Sequence, residues 1–388
     1  MHDEAILPED SARATLVGRV MRPDVGPAIV AVRDGDLVDI TSRDAPTMRD
    51  LMEMRAPADY ARNAKGEAFA SLASAAGNSW EDARDDAKPI LLAPVDLQAV
   101  KAAGVTFAVS LLERVIEEQA RGDPQLAMQT RTEITALIGL DLSQLKPGSD
   151  EAMRVKALLI ERGAWSQYLE VGIGPDAEVF TKAQPMSTVG YGAHVGVPPF
   201  SHWNNPEPEV VLVCSSDGAI KGATLGNDVN LRDVEGRSAL LLGKAKDNNA
   251  SAAIGPFVRL LDDGFGLDDV RKLEVTLRVT GEDNFALDAL SSMRQISRDP
   301  LDLAKAVCGK YHQYPDGFCL YLGTMFAPVQ DRGGPGKGFT HKNGDRVEIS
   351  ASQLGTLANL VRSTEACRPW SFGANALMRN LAARGLIQ

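Results

Sequence analysis

Several features that identify common protein classes are missing from this chain of 388 residues. Its four cysteines are scattered and form no CxxC pair, so neither a disulfide framework nor a cysteine zinc site is indicated. Its five histidines show no HxH or HExxH spacing, which argues against a zinc enzyme. The net charge is −11, so no basic excess is present to neutralise the phosphates of a nucleic-acid partner.

Two further absences concern the place where the protein works. Residues 1–4 are acidic, whereas a secretion signal begins with basic residues. No apolar run approaches the length of a membrane-spanning helix. We interpret the scattered cysteines as reduced thiols. Together these observations predict a cytoplasmic protein without a membrane partner.

The chain is long enough for two domains, and its 44% apolar and 24% charged residues are typical of a soluble globular protein. Residues 13–41 alternate apolar and polar side chains between turns, which predicts short antiparallel strands. Residues 88–95 resemble a linker. We therefore predict a small N-terminal α+β domain over residues 1–90 and a catalytic domain over residues 91–388. From Leu169 onward, short strands separated by turn residues predict a large, curled mixed sheet.

The strongest chemical signal is Pro206-Glu207-Pro208-Glu209, which precedes an apolar run. In an extended strand the side chains at i and i+2 share one face, so both glutamates point to the same side. Asp228 can join them from a neighbouring strand. Three converging carboxylates repel one another without a cation, and an all-oxygen set suits Mg²⁺. The alternative is a polar strand face that pairs with lysine or arginine.

Three other segments carry polar side chains that serve either a site or only the surface. Lys246 can balance a charged substrate or a developing enolate, or it can lie in a surface loop. Arg114 and Glu117 have the i,i+3 spacing of a helical ion pair, which is usually a solvated contact. The Gly323-Thr324 turn can hold a carboxylate, or it can simply reverse the chain. The residues alone leave these alternatives open.

In this order the segments resemble those of the fumarylacetoacetate hydrolase superfamily. The shared marks are the E-x-E strand, the Asn-Asp-Val-x-x-Arg-Asp segment at 227–233, the lysine before Gly255-Pro256 and the Gly-Thr turn. The resemblance covers roughly residues 90–388. It implies an α+β fold, with a mixed β-sandwich roll and a smaller N-terminal domain. It also implies a homodimer or homotetramer.

The resemblance further implies a metal site and a substrate class. Mg²⁺, with Mn²⁺ as a substitute, would be held by Glu207, Glu209 and Asp228, and Lys246 would lie in the site. The substrate would be a small 2-keto acid. Nothing in the resemblance calls for a nucleic-acid partner.

Within the superfamily, the closer resemblance is to the sugar-acid dehydratases. Its marks are residues 103–107 with Ser110, residues 201–209 and residues 312–317. It implies the dehydration of 2-keto-3-deoxy-D-xylonate to 2,5-dioxopentanoate in non-phosphorylative pentose oxidation. The implied catalytic residues are Glu117 as acid or base, Arg114 orienting it, and Lys246 stabilising an enolate. The implied substrate-binding residues are Ser110, Ser291, Gly323, Thr324 and Asn249.

Two departures from the hydrolase pattern favour a dehydratase. Members that add water or remove CO₂ carry a lid histidine with a glutamate, and the matching place here holds Ser110 and Glu113. The aspartate often found three residues after the site lysine is Asn249. An acylpyruvate or diketo-acid hydrolase is the alternative enzyme. A keto-acid-binding protein without turnover is the alternative outside catalysis.

Overall fold

The computed structural model describes most of the chain. For residues 108–110 and 112 it describes the backbone alone. The residues described are 6–121, 123, 125–127, 145–161, 163, 165–326, 328–335 and 337–388.

Strands dominate the described residues, as the spacing of turn residues predicts. They are β1 (Leu16–Arg22), β2 (Gly26–Arg33), β3 (Asp36–Asp39), β4 (Glu67–Ser71), β5 (Ile90–Leu92), β6 (Ala99–Gly104), β7 (Glu178–Ala183), β8 (His194–Val197), β9 (Asn204–Asn205), β10 (Pro208–Cys214), β11 (Ile220–Asp228), β12 (Asn230–Leu231), β13 (Ala252–Leu260), β14 (Glu274–Thr280), β15 (Ala286–Ser292), β16 (Phe318–Tyr321), β17 (Arg346–Ala351) and β18 (Gly355–Ser363).

The α-helices of the described part are mostly short. They are α1 (Met48–Glu53), α2 (Pro57–Asn63), α3 (Leu72–Asn78), α4 (Ala108–Gln119), α5 (Asp150–Glu161), α6 (Gln167–Ile173), α7 (Arg232–Glu235), α8 (Leu242–Lys246), α9 (Leu267–Val270), α10 (Pro300–Val307) and α11 (Ala374–Ala383). None of these helices has the length and apolar character that crossing a membrane requires.

The large sheet contains eleven of the described strands. Its order is β4-β3-β2-β1-β13-β11-β10-β16-β6-β7, and β5 pairs beside β1. The β16–β6 pair is parallel and the other pairs are antiparallel, so the predicted mixed sheet is confirmed. Strands β10 and β13 are buried along their whole length. That burial on both faces explains why the sequence reads Val210-Val211-Leu212-Val213 without alternation.

A second sheet packs against the first. Its strand order is β15-β14-β17-β18-β8. Val210, Leu212 and Leu225 of the large sheet share one apolar cluster with Leu277 and Ile349 of the second sheet. Burial of each such side chain contributes about 1.5–3 kcal/mol relative to exposure. The core between the two sheets therefore holds β10 and β11 rigidly at the place where they carry the carboxylates.

The predicted division at residue 90 is bridged by sheet pairing. Strand β1 pairs with β2 and β5, and it also pairs with β13, with Val17 opposite Val258. Helix α11 returns to the N-terminal strands, where Asn380 Nδ2 donates to the carbonyl of Val25 at 2.8 Å. These contacts join residues 1–90 to the rest of the chain, and the division into two domains stays a prediction.

Candidate active site

The structure brings Glu207, Glu209 and Asp228 together at one end of the β10–β11 pair. Pro208 is opposite Asn227 in the register, so Glu207 lies opposite Asp228, whose amide donates to the Glu207 carbonyl at 3.0 Å. One oxygen from each of the three carboxylates lies within 4.8 Å of the others, and all three residues are buried. The strand geometry that the E-x-E spacing implied is therefore the geometry of the folded chain.

The donor set suits a hard divalent cation. Burial and the charges of Asp228 and Glu207 raise the pKa of Glu209 well above its usual range. Asp228 Oδ1 is buried and accepts no hydrogen bond from any described residue, although Lys182 Nζ lies 3.1 Å away. The Gly323 amide donates to Glu209 Oε2 at 2.6 Å and fixes the orientation of that carboxylate. Buried carboxylate oxygens that repel one another match the ligands that Mg²⁺ prefers.

Two buried lysines border the carboxylates. Lys246 Nζ lies 2.5 Å from Glu207 Oε2 and 3.2 Å from Asp228 Oδ2. Although burial opposes its charge, the carboxylates of Asp228 and Glu207 raise the pKa of Lys246 above its usual value, so it remains an ammonium. Lys182 on β7 donates to Ser251 Oγ at 3.1 Å and to the carbonyl oxygen of Lys246. Lys182 thereby holds both Asp228 and the backbone that carries Lys246.

A buried chain of arginines and glutamates lies on the other side of Glu207. Arg114 Nη1 donates to Glu117 Oε2 at 2.7 Å, and its Nη2 donates to Glu207. Arg232 Nε donates to Glu117 Oε1 at 2.6 Å, and Arg232 Nη2 donates to Glu113 Oε2 at 3.2 Å. The i,i+3 pair on α4 is therefore buried between Glu207 and a second arginine.

Thr324 faces the same space as the glutamates. A narrow cavity is lined by Glu113, Arg114, Glu117, Asn205, Glu207, Arg232 and Thr324. Thr324 Oγ1 donates to the carbonyl of Phe326 at 2.9 Å, which leaves its oxygen lone pairs as acceptors. The cavity is too narrow in this structure to admit a water molecule, and it joins Glu207 to the polar side chains of α4.

Other predicted substrate-binding residues lie elsewhere or are already engaged. Ser291 lies on β15, an edge strand of the second sheet, opposite Val275. Asn249 Nδ2 donates to the carbonyl of Arg368 at 3.4 Å and lines a different cavity. The Gly323 amide already donates a hydrogen bond to Glu209 Oε2. The side chain of Ser110 lies outside the described part of the structure. Their roles in binding substrate stay predictions.

Sequence reasoning missed several residues that the fold brings to the site. The position of Lys182 gives one sign of burial. In a strand, side chains two residues apart share a face, so Lys182 lies on the same face as Phe180, among apolar neighbours. Arg232 lies within the Asn-Asp-Val-x-x-Arg-Asp segment, and its guanidinium stacks on the Trp203 ring at 4.3 Å. Glu235 Oε2 lies 3.0 Å from Arg114 Nη1, and nothing in its sequence context marks it.

Glu178, at the start of β7, provides a test of the electrostatics around the site. Burial and the charge of Glu235 raise the pKa of Glu178 to about 7. Between its ordinary pKa of 4.5 and its folded-state pKa of about 7, the folded protein keeps a proton on Glu178 that the unfolded chain has released. The unfolding free energy of wild type therefore falls as the pH rises through this range. We expect the unfolding free energy of Glu178→Gln not to show this fall. Relative to wild type, the variant should gain about 3 kcal/mol in unfolding free energy between pH 4 and pH 8.

Urea unfolding of both metal-free proteins across this pH range measures the difference. Glu151→Gln, at an exposed position on α5, is the matched control. Parallel pH profiles for wild type and Glu178→Gln would contradict the assigned pKa.

Comparison with known proteins gives matches of both sequence and fold. The family profile described as "Fumarylacetoacetate (FAA) hydrolase C-terminal" matches residues 166–362. A Haloferax volcanii protein named "Probable 2-keto-3-deoxyxylonate dehydratase" is 28% identical over 333 residues, which cover 86% of this chain and 94% of the relative. A Saccharolobus solfataricus protein named "2-dehydro-3-deoxy-D-arabinonate dehydratase" is 31% identical over 185 residues, which cover 48% of this chain and 58% of that relative.

Solved structures agree with the fold. The apo form of a 2-keto-3-deoxy-D-arabinonate dehydratase superposes with a TM-score of 0.62 at 22% identity, covering 90% of this chain and 99% of that one. The same values hold for a structure described as that dehydratase "complexed with magnesium and 2,5-dioxopentanoate". The predicted α+β roll is therefore confirmed.

Proposed function

Because the chain belongs to the fumarylacetoacetate hydrolase family, we propose that it is a Mg²⁺-dependent hydro-lyase acting on 2-keto-3-deoxy-D-xylonate. The products are 2,5-dioxopentanoate and water. The observation that carries the proposal is that Glu207, one member of a buried three-carboxylate site, and the Arg114–Glu117 pair line one cavity. The match covers 94% of the Haloferax volcanii relative, and the name of that relative as a dehydratase supports the same reaction class.

Glu207, Glu209 and Asp228 would hold the cation, with Mn²⁺ as a substitute for Mg²⁺. A bound Mg²⁺ supplies Lewis-acid polarisation of the carboxylate and C2 carbonyl oxygens of a 2-keto acid, which acidifies the C3 protons. Lys246 remains an ammonium beside Glu207 and Asp228, where it stabilises negative charge that develops on the substrate oxygens. Its position beside two metal carboxylates suits this role better than proton transfer.

Glu117 is our choice for the acid or base. Two guanidiniums orient its carboxylate, one from Arg114 on the same helix and one from Arg232 on α7. Dehydration removes a C3 proton and expels the C4 hydroxyl as water, which leaves a C3–C4 double bond. The later rearrangement to the aldehyde takes one hydrogen from C5 and the proton from the C5 hydroxyl, and it adds one proton at C3 and one at C4. A single carboxylate that takes up and returns protons can serve these steps. Thr324 Oγ1 would accept a hydrogen bond from a substrate hydroxyl in the same cavity.

One assay tests the proposal and separates it from the alternatives. The protein is incubated with Mg²⁺ and 2-keto-3-deoxy-D-xylonate, and the aldehyde is trapped as a hydrazone. We expect 2,5-dioxopentanoate to form, EDTA to abolish its formation, and added Mg²⁺ or Mn²⁺ to restore it. Release of pyruvate from an acylpyruvate, without turnover of the sugar acid, would indicate the hydrolase. Binding without turnover of either compound would indicate a keto-acid-binding protein.

We also propose that the enzyme works in the cytoplasm as a homodimer or homotetramer. The proposal rests on the scattered cysteines and the resemblance to the family. Light scattering coupled to gel filtration measures the subunit number, and a monomeric mass would contradict the assembly.

A further inference from the structure

A second cavity, of about 250 Å³, lies where three parts of the chain meet. Residues 19–21 and 81–93 form one wall, and residues 367–372 form another. Residues 186–194 and 249–250 form the floor, and this floor is the part that lies within the family match. None of the three metal-site carboxylates lines the cavity. Junctions of this kind between chain segments are common positions for ligand sites.

Most of the cationic side chains that line this cavity are already neutralised or hydrogen-bonded. Arg19 donates to the carbonyl of Val95 at 2.6 Å and lies 3.6 Å from Asp96. Arg368 Nη1 lies 3.1 Å from Asp86 Oδ1. These two guanidiniums are therefore already engaged by carboxylates of the chain.

Arg84 differs from them. Its Nη2 donates to the carbonyl of Ser79 at 3.2 Å, but its Nε is buried and has no hydrogen-bond partner among the described residues. Arg84 is partly buried, and no described carboxylate lies within ion-pair distance of it. Burial lowers the pKa of its guanidinium, and the charges of Glu81 and Asp86 offset only part of this effect. A carboxylate ligand would supply the partner that Nε lacks.

His194 gives a second, independent sign of a ligand. The residue is 8% exposed, and its Nε2 lies 2.7 Å from Asp82 Oδ1. Its Nδ1 is buried, lies 3.7 Å from Glu81 Oε2 and has no hydrogen-bond partner among the described residues. This ring nitrogen can hydrogen-bond to a ligand in the cavity.

The remaining lining and the volume limit the class of ligand. Ile90, Leu92, Met186, Trp370 and Phe372 give the cavity a largely apolar surface. Its volume is below the range of about 300–1,000 Å³ that is typical of sites for drug-sized molecules. The occupant is therefore a small molecule with an apolar body and one anionic group.

We propose that this cavity is a binding site for a small carboxylic acid with an apolar body. Its carboxylate pairs with the Arg84 guanidinium, which presents a planar fork of N–H donors that matches a carboxylate. Its body packs against Met186 and Trp370. The site is separate from the metal carboxylates and does not depend on the dehydratase reaction.

Calorimetric titration of the Mg²⁺-loaded protein with benzoate tests this site. We expect saturable binding of benzoate at millimolar concentrations or below, and binding of neutral benzamide at least about tenfold weaker, since a charge-assisted hydrogen bond is lost. Arg84→Met should weaken benzoate binding by about tenfold or more and leave benzamide binding unchanged. Arg13→Met, at an exposed arginine outside the cavity, is the matched control and should bind benzoate like wild type.

A second variant keeps the test decisive if Arg84→Met does not fold. Ile90 lies on the cavity wall and is only partly buried, so Ile90→Trp should fill the space and remove binding of both probes. Thermal unfolding near that of wild type would show that the variant is folded. Benzoate binding that Arg84→Met and Ile90→Trp both leave unchanged, or an absence of saturable binding to wild type, would overturn the proposal.

Discussion

Glu117→Gln is expected to lower kcat for dehydration by 10²–10⁴-fold, the range typical for loss of a positioned acid or base. Glu117 is 1% exposed, and each of its oxygens accepts a hydrogen bond from a guanidinium. The amide is similar in shape but cannot take or deliver a proton. The NH₂ group of the glutamine is a donor, and it would face an arginine N–H that is also a donor. This clash would disturb the orientation of Arg114 or Arg232.

Measurement of Mg²⁺ binding distinguishes a catalytic role of Glu117 from a structural one. Glu117 does not belong to the three-carboxylate set and reaches Glu207 only through Arg114, so Mg²⁺ affinity should fall far less than kcat. Glu118→Gln is the matched control, because the next residue on α4 pairs with Gln167 and lies outside the cavity. Steady-state kinetics and Mg²⁺ titration of the two variants measure this. Wild-type turnover in Glu117→Gln would reject the assignment.

The carboxylate geometry was accessible from the sequence because it depends on local rules. Period two in a strand placed Glu207 and Glu209 on one face, and the short distance along the chain to Asp228 favoured an adjacent strand. The Arg114–Glu117 contact likewise follows from helical spacing. The same rule could not tell that the pair is buried, because burial depends on β10 and α7 packing over it.

The partners that come from distant segments were not accessible in this way. Arg232 contacts Glu117 across a separation of 115 residues, and Lys182 contacts Ser251 across 69 residues. Such pairings follow from the order of strands in the large sheet, which no single segment encodes. Asn249 shows the opposite case, since closeness in sequence to Lys246 did not bring its side chain to the carboxylates. Three positions along the chain are enough to direct the two side chains to different partners.

Glu209→Gln is expected to abolish the stabilisation of the protein by Mg²⁺. A ligand at 100 times its dissociation constant stabilises a folded protein by about 2.7 kcal/mol, and wild type should show a gain of this size. In the variant, the Gly323 amide that donates to Glu209 Oε2 would select the amide oxygen of glutamine. The NH₂ group would then point toward Glu207 and Asp228 and donate to them, which places N–H hydrogens where the cation would lie and removes one of its three anionic ligands.

Thermal unfolding with and without Mg²⁺ measures this effect apart from catalysis. The metal-free variant should fold, because burial and two neighbouring carboxylates already raise the pKa of Glu209 and make its charge unfavourable there. Glu274→Gln, at an exposed position on β14, is the control and should keep the full gain from Mg²⁺. A Glu209→Gln protein that Mg²⁺ stabilises as much as wild type would place the cation elsewhere, and the mechanism built on the three carboxylates would fail with it.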